Sequence, residues 1–308
     1  METISIVAPV LLMLFMGYFF KVTGFIRKEG IQDIKKYITG IAIPVLVFHA
    51  VSVAEYNIRT IVIFVIMMLG MLLALLVGYL TKGIVKGAFQ KYYPFLITAY
   101  EGGMLCYPLY QNLCGEEHFS NIVIIDLATC VFVFGIYLGL LQLVDGNVPF
   151  SLKELGLNAL KTPSFIALIL GLILGMSGLM NRFLATPASS VYISVKNIIV
   201  APISAMILIC VGYSLNLKKE LLAEVLKTVF ARFITQMILL AVTLFFMKRF
   251  GLDRYMLAAF FIYFLSAPNF NPGNFVKNEE ANQFIATTTS VYCLITIVGY
   301  MVVVMALF

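Results

Sequence analysis

Glu101 lies inside the mostly apolar run YYPFLITAYEGGMLCYPLYQNLC, and Asp126 lies inside a second such run. An ionised carboxylate at membrane depth costs about 2.5–3.5 kcal/mol on insertion scales, so each position needs a reason. For Glu101 the readings are a proton carrier or cation ligand, or a side chain near the end of a shorter helix that reaches water. Asp126 could pair with a neighbouring broken helix or face the interface. A third run, YMLAAFFIYFLSAPNFNPGNF, gathers Asn269, Asn271 and Asn274 around Pro268 and Pro272. Their amides could donate to a carboxylate, offer oxygens to a cation, or cap the helix ends they flank. Tyr107 and Asn112 add polar groups to the first run, and Thr287, Thr288, Thr289 and Ser290 present hydroxyls that could line a site or bond their own helix. His49 is either a proton relay or a hydrogen-bonded packing residue.

This set suits reversible binding of a small ligand together with H+ or Na+. Intramembrane catalysis would need paired carboxylates, a Ser/His arrangement or a metal motif. His49 and His118 are far apart, neither HExxH nor GxSxG occurs, and no catalytic residue is assigned. The five cysteines never approach CxxC spacing, so neither a metal site nor a disulfide framework is expected, and no cofactor is implied.

The elements that must position these residues follow from composition. Of 308 residues 62% are hydrophobic and only 12% charged, and the mean hydropathy is +1.01, whereas soluble domains carry about 25% charged residues. The expected class is an all-α polytopic membrane protein whose main partner is the lipid bilayer. A net charge of +6 and a pI near 9.0 do not point to nucleic acid, because the basic residues sit in short loops. Ten spans are expected: Ile4 to Phe20, Tyr37 to Val53, Thr60 to Leu80, Tyr93 to Cys114, Asn121 to Val144, Ser164 to Met180, Val191 to Leu215, Lys227 to Met247, Arg254 to Pro272 and Ala281 to Phe308. The N-terminal run lacks a basic leader and a small-residue cleavage site, so it reads as the first span. With no Trp, the 16 tyrosines must supply the interfacial belt.

Loop charge sets an orientation. Lys21, Arg27, Lys28, Lys35 and Lys36, then Lys82, Lys86 and Lys91, then Lys153 and Lys161, then Lys218, Lys219 and Lys227, then Lys277 fall on one side, and Arg59, Arg182, Lys248, Arg249 and Arg254 on the other. The richer side is expected to be cytoplasmic, with both chain ends outside the cytoplasm of a plasma or inner membrane. Lys196 and Arg232 are read as snorkelling near helix ends.

Proline spacing suggests an internal repeat. Pro44 in span two and Pro202 in span seven are 158 residues apart, Pro108 and Pro268 in spans four and nine are 160 apart, and Ile4 and Ser164, which open spans one and six, are also 160 apart. An odd number of spans per copy inverts the second copy, giving repeats at 1–144 and 164–308 joined by a cytoplasmic linker at 145–163. Spans four and nine are both interrupted, by Gly102, Gly103 and Pro108 in one and by Pro268 and Pro272 in the other. Matched interruptions mark transporter sites, because half-helix N-termini attract anions and unwound carbonyls hold cations.

The chain resembles the auxin efflux carrier family, the PIN-like proteins. The resemblance is carried by GFIRKEGIQDIKKYI and IAIPVLVF near the start, KTPSFIALILGLILG, IIVAPISAMILICVGYSL, SAPNF and ATTTSVYCLITI. It implies a relative of the bile-acid sodium symporter fold, with ten helices in two inverted five-helix repeats and broken helices four and nine crossing at the binding site. It further implies a scaffold of spans one, two, six and seven that often mediates a homodimer, and a moving domain of spans three to five and eight to ten. The implied activity is elevator-type secondary transport or facilitation of a small organic anion such as auxin, malonate or another carboxylate. Plant members place asparagine beside the first crossover proline, where this chain has Tyr107 before Pro108 and Glu101 nearby. A ligand sensor without flux and, less favoured, an intramembrane enzyme are the alternatives.

Overall fold

The structure is a computed structural model and describes residues 2–145, 162–216, 218–270, 272, 276 and 278–308. Among these the regular structure is helical, joined by short turns and irregular stretches, with an isolated antiparallel bridge between Tyr100 and Pro268. Among the described residues seven helices are long and apolar enough to cross a membrane: Ile6–Thr23, Lys28–Ser52, Ile58–Ile84, Phe119–Val144, Ser189–Ser214, Lys219–Phe250 and Glu279–Leu307. Pro163–Met176 and Arg254–Phe264 are shorter apolar helices, and Tyr93–Thr98 and Tyr107–Cys114 are pieces of the fourth expected span. Leu69, Leu72, Leu76, Phe230, Phe245 and Ile198 are exposed, an outward apolar surface that only lipid would solvate favourably. The protein is a multi-pass membrane protein.

The second span begins earlier than expected. Lys28–Tyr37, which precedes the expected start of span two, runs without interruption into Ile43–Ser52 through a π-helical stretch, Ile38–Ala42. Ile31 and Ile38 are buried while Lys28 and Lys36 stay exposed, so one continuous helix satisfies both the apolar stripe and the charges. A second π-helical stretch, Gly102–Cys106, precedes Pro108 as Ile38–Ala42 precedes Pro44. A proline ring clashes with the carbonyl four residues earlier and offers no N–H to it, and a widened turn relieves both problems.

Pro108, expected to create the interruption in the fourth span, therefore sits inside a helix running from Gly102 to Cys114. The interruption lies earlier, after Tyr93–Thr98, where Ala99 is extended and Glu101 caps the next piece. In the ninth span the helix ends at Phe264, and Ser266, Ala267 and Pro268 follow as irregular chain.

Close packing of spans relies on glycine. A Cβ on Gly17 would stand 2.1 Å from the Ile209 carbonyl oxygen, and one on Gly212 would stand 2.0 Å from that of Leu14, so the first and seventh spans touch backbone to backbone. Gly171 and Gly175 let the sixth span approach Phe48, Val51 and Ser52 of the second in the same way. Gly212→Val should push the first span off the seventh and cost about 1–3 kcal/mol. Thermal unfolding in detergent should show a clear drop for this variant and none for Gly135→Ala, whose added methyl meets open space.

Candidate functional site

The two interrupted segments meet. The Glu101 N–H donates to the Ala267 carbonyl at 3.0 Å, and Asn269 Nδ2 donates to the Tyr100 carbonyl at 3.1 Å. Each break thus satisfies peptide groups of the other, which hydrocarbon could not do. Glu101 binds both sides through its side chain as well. Oε1 accepts from the Met104 N–H at 3.1 Å, capping the helix that starts at Gly102, and Oε2 accepts from the Phe270 N–H at 2.8 Å. Glu101 is buried, at 7% exposure, so the reading of a side chain extended to bulk water does not describe it.

Asp126 lies against the start of the same helix. Tyr107 Oη donates to its Oδ2 at 2.6 Å and Tyr263 Oη to its Oδ1 at 2.5 Å, while Tyr263 Oη also lies 2.7 Å from Thr129 Oγ1. A Cβ on Gly102 would stand 2.4 Å from Asp126 Oδ1. Gly102 is therefore needed less to interrupt the helix than to admit the carboxylate against its backbone.

A cavity of about 330 Å3 brings Glu101, Asp126, Tyr107 and Asn269 to one surface, together with Gly102 and Gly103. Asn112 is not part of this group. Its amide donates to the Ile6 carbonyl and to Tyr300 Oη, both at 2.9 Å, and joins the far end of the fourth span to spans one and ten. Pro272 is buried, and Asn271 and Asn274 lie outside the described residues. His49 Nδ1 lies 3.1 Å from Tyr192 Oη and lines neither this cavity nor the larger one described below, which fits its packing reading. The profile of the membrane transport protein family matches residues 3–150, the part of the chain that contains Glu101 and Asp126. The chain is thus similar to this family over nearly half its length. An uncharacterized transporter of Methanocaldococcus jannaschii is 27% identical over 189 residues, covering 58% of this chain and 59% of that protein. The chain thus spans about three-fifths of the length of this relative.

Further residues that hold the crossing together come from the eighth span. Arg232 was expected to snorkel near a helix end. It sits instead in the interior of Leu222–Met247 with no exposed surface. Its Nη1 donates to the Leu96 carbonyl at 2.9 Å and its Nη2 to the Ser266 carbonyl at 3.0 Å, while its guanidinium lies over the rings of Tyr292 and Tyr100, 5.0 and 5.6 Å from their centroids. One turn on, Gln236 donates to the Ile97 carbonyl at 2.7 Å and accepts from Tyr100 Oη at 2.6 Å. A cation at two helix C-terminal ends offsets the partial negative charge of the freed carbonyls. An Arg and a Gln at i, i+4 inside LKTVFARFITQMILL were the available signal, since intramembrane charge is costly enough to demand a partner. Lys196, the other residue assigned to snorkelling, is buried and paired with Glu116.

Arg232→Met removes two charge-assisted hydrogen bonds and leaves two carbonyls without donors, a loss of about 3–5 kcal/mol. Its thermal unfolding midpoint should fall well below that of the parent, and Arg232→Lys, with one compact donor group, should recover only part of the difference. Gly102→Ala should displace the Asp126 carboxylate. The two phenols at Asp126 would then lose their acceptor, which near-ultraviolet absorbance of the tyrosines would report.

Proposed function

We propose that the protein is a secondary transporter or facilitator of a small organic anion, with the crossing of the two interrupted spans at the centre of its mechanism. The observation that carries this reading is the placement of Glu101. Its carboxylate occupies the N-terminal end of the helix beginning at Gly102 and reaches the opposite break at Phe270, where a substrate carboxylate would otherwise be drawn. Protonating Glu101 or displacing it frees those N–H groups, so proton binding and anion binding at this point become coupled. Asn269 at the rim of the same cavity supplies the amide of the substrate contact, and Na+ at the carboxylates is the other coupling ion compatible with the donors.

The wider arrangement belongs to the same proposal. Ten spans form two inverted repeats at 1–144 and 164–308. Spans one, two, six and seven make a scaffold, through which two copies associate, and spans three to five and eight to ten carry the crossing across the membrane as an elevator. The pairing of first with seventh and second with sixth spans through glycines supports a rigid scaffold. The distribution of basic residues among the loops supports an orientation with both termini outside the cytoplasm.

Flux in proteoliposomes tests this, with mono- and dicarboxylates at several pH values and with or without sodium. Saturable anion flux that depends on pH in the parent, and that loses this dependence in Glu101→Gln, is the expected result. Parent flux unchanged between pH 5 and 8 would remove Glu101 from the coupling, and absence of carboxylate flux altogether would overturn the transport reading.

A further inference from the structure

The end of the fourth span is tied to the first and seventh spans by polar side chains. Lys196, in Ser189–Val200 of the seventh span, is buried, at 4% exposure, and its Nζ donates to Glu116 Oε1. Glu116 follows the fourth span, whose helix ends at Cys114, and Gly115 turns the chain between them at a φ of 77°, where L side chains are strained. Ser204 Oγ donates to Gln111 Oε1 at 3.2 Å, and Asn112 Nδ2 donates to the Ile6 carbonyl at 2.9 Å. An ion pair and two neutral contacts thus gather around the last turn of the fourth span.

The opposite end of these spans is open. A second cavity, of about 530 Å3, lies there between spans two and seven on one wall and residues of spans four, nine and ten on the other. Gln32, Lys36 and Thr39 line it and are exposed, while Met104 and Phe270, whose N–H groups hold Glu101, line it next to the crossing. The crossing is therefore open toward Lys36. The Asn216 N–H donates to Ser290 Oγ at 3.0 Å beside this cavity, a contact between neutral groups.

The ion pair is unequal in burial, because Glu116 is half-exposed and Lys196 is not. A buried ammonium left without its partner is strongly unfavourable, whereas an apolar side chain of similar volume in its place is tolerated. If the fourth span leaves the seventh, Lys196 loses Glu116 and needs water in its stead. The pair therefore favours the arrangement in which this end is shut.

We propose that Lys196 and Glu116 form a latch, which holds the carrier shut on the side of Glu116 and open toward Lys36, and which must release in each transport cycle. The inference rests on the reading above, in which the fourth span moves and the seventh belongs to the scaffold. It adds the residues that set which side is open. Lys196 acts here as a positioning residue, through the fourth span and not through contact with a substrate. The Gln111 and Asn112 contacts join neutral partners and give way at smaller cost.

A cysteine in place of Ala286, a partly buried residue of the tenth span on the cavity wall, reports how often that side is open. Its rate of reaction with a charged maleimide is read in the full chain, with the five native cysteines of the parent as baseline. Adding Glu116→Gln should slow this labelling by about threefold or more, because the arrangement with an unpaired buried ammonium loses population. Adding Lys196→Met to Glu116→Gln should restore the rate, since no buried charge remains. A general loosening of the fold would speed labelling instead, so unchanged or faster labelling in Glu116→Gln overturns the latch. Lys196→Cys with Glu116→Cys gives a second readout in proteoliposomes. Oxidation to the disulfide should stop counterflow of radiolabelled benzoate and malonate, and dithiothreitol should restore it. Counterflow that continues with the disulfide intact overturns the latch and leaves carboxylate transport standing. A parent that carries neither anion overturns the carboxylate reading, and the labelling, which uses no substrate, decides the latch separately. If Glu116→Gln does not fold, the loss and return of counterflow in the disulfide variant decide.

Discussion

A helix interrupted in hydrocarbon exposes peptide groups that nothing in the lipid can satisfy, and the structure depends on how that demand is met. Here two interruptions are placed against each other. Glu101 N–H bonds Ala267, Asn269 bonds Tyr100, and Arg232 and Gln236 take the carbonyls of Leu96, Ile97 and Ser266. Neither break could exist in lipid alone, so the fourth, eighth and ninth spans are joined at the crossing by necessity. The eighth span acts as a strut whose single internal cation serves both broken ends.

This arrangement makes the crossing both stable and reactive. The carbonyl ends are neutralised by a buried arginine, while the amide ends are met by Glu101, a group that can lose or gain a proton. Its two oxygens meet backbone N–H groups of two separate segments, Met104 and Phe270, so its charge state bears on both breaks at once. Asp126 differs in kind. Its two oxygens are already held by Tyr107 and Tyr263, and the absence of a Cβ on Gly102 lets it rest against the helix. Two acidic residues of similar burial thus have unlike surroundings, one facing two backbone amides from separate segments and the other facing phenols.

The surrounding helices are packed for a different purpose. Gly17 and Gly212, and Gly171 and Gly175, bring backbones close enough that dispersion between helices replaces the hydrophobic effect, which is weak in lipid. The crossing instead is filled by aromatic residues, with Tyr100 packed on Tyr263 and Phe264, and with Arg232 over Tyr292. Rigid glycine seams on one side and a polar, aromatic crossing on the other, with cavities between them, are the parts a moving carrier would need.

The sequence by itself determined the membrane class, the interrupted character of the fourth and ninth spans, and Glu101 and Asp126 as residues needing a reason, because hydropathy and helix-breaking are local properties. It also carried the resemblance to the membrane transport protein family, whose profile matches residues 3–150. Tertiary structure decided what those residues touch. Pro108 reads as a helix breaker in sequence, yet a π-helical turn absorbs it and the break falls before Glu101. Asn112 reads as part of the polar set of the fourth span, yet helical phase and distance place it against Ile6 and Tyr300. Arg232 reads as a charge near a helix end, yet it is the partner of carbonyls 136 and 34 residues away in the chain. Those pairings join residues remote in sequence, and the demand they satisfy arises only when two breaks are brought together, so no local pattern could have announced them.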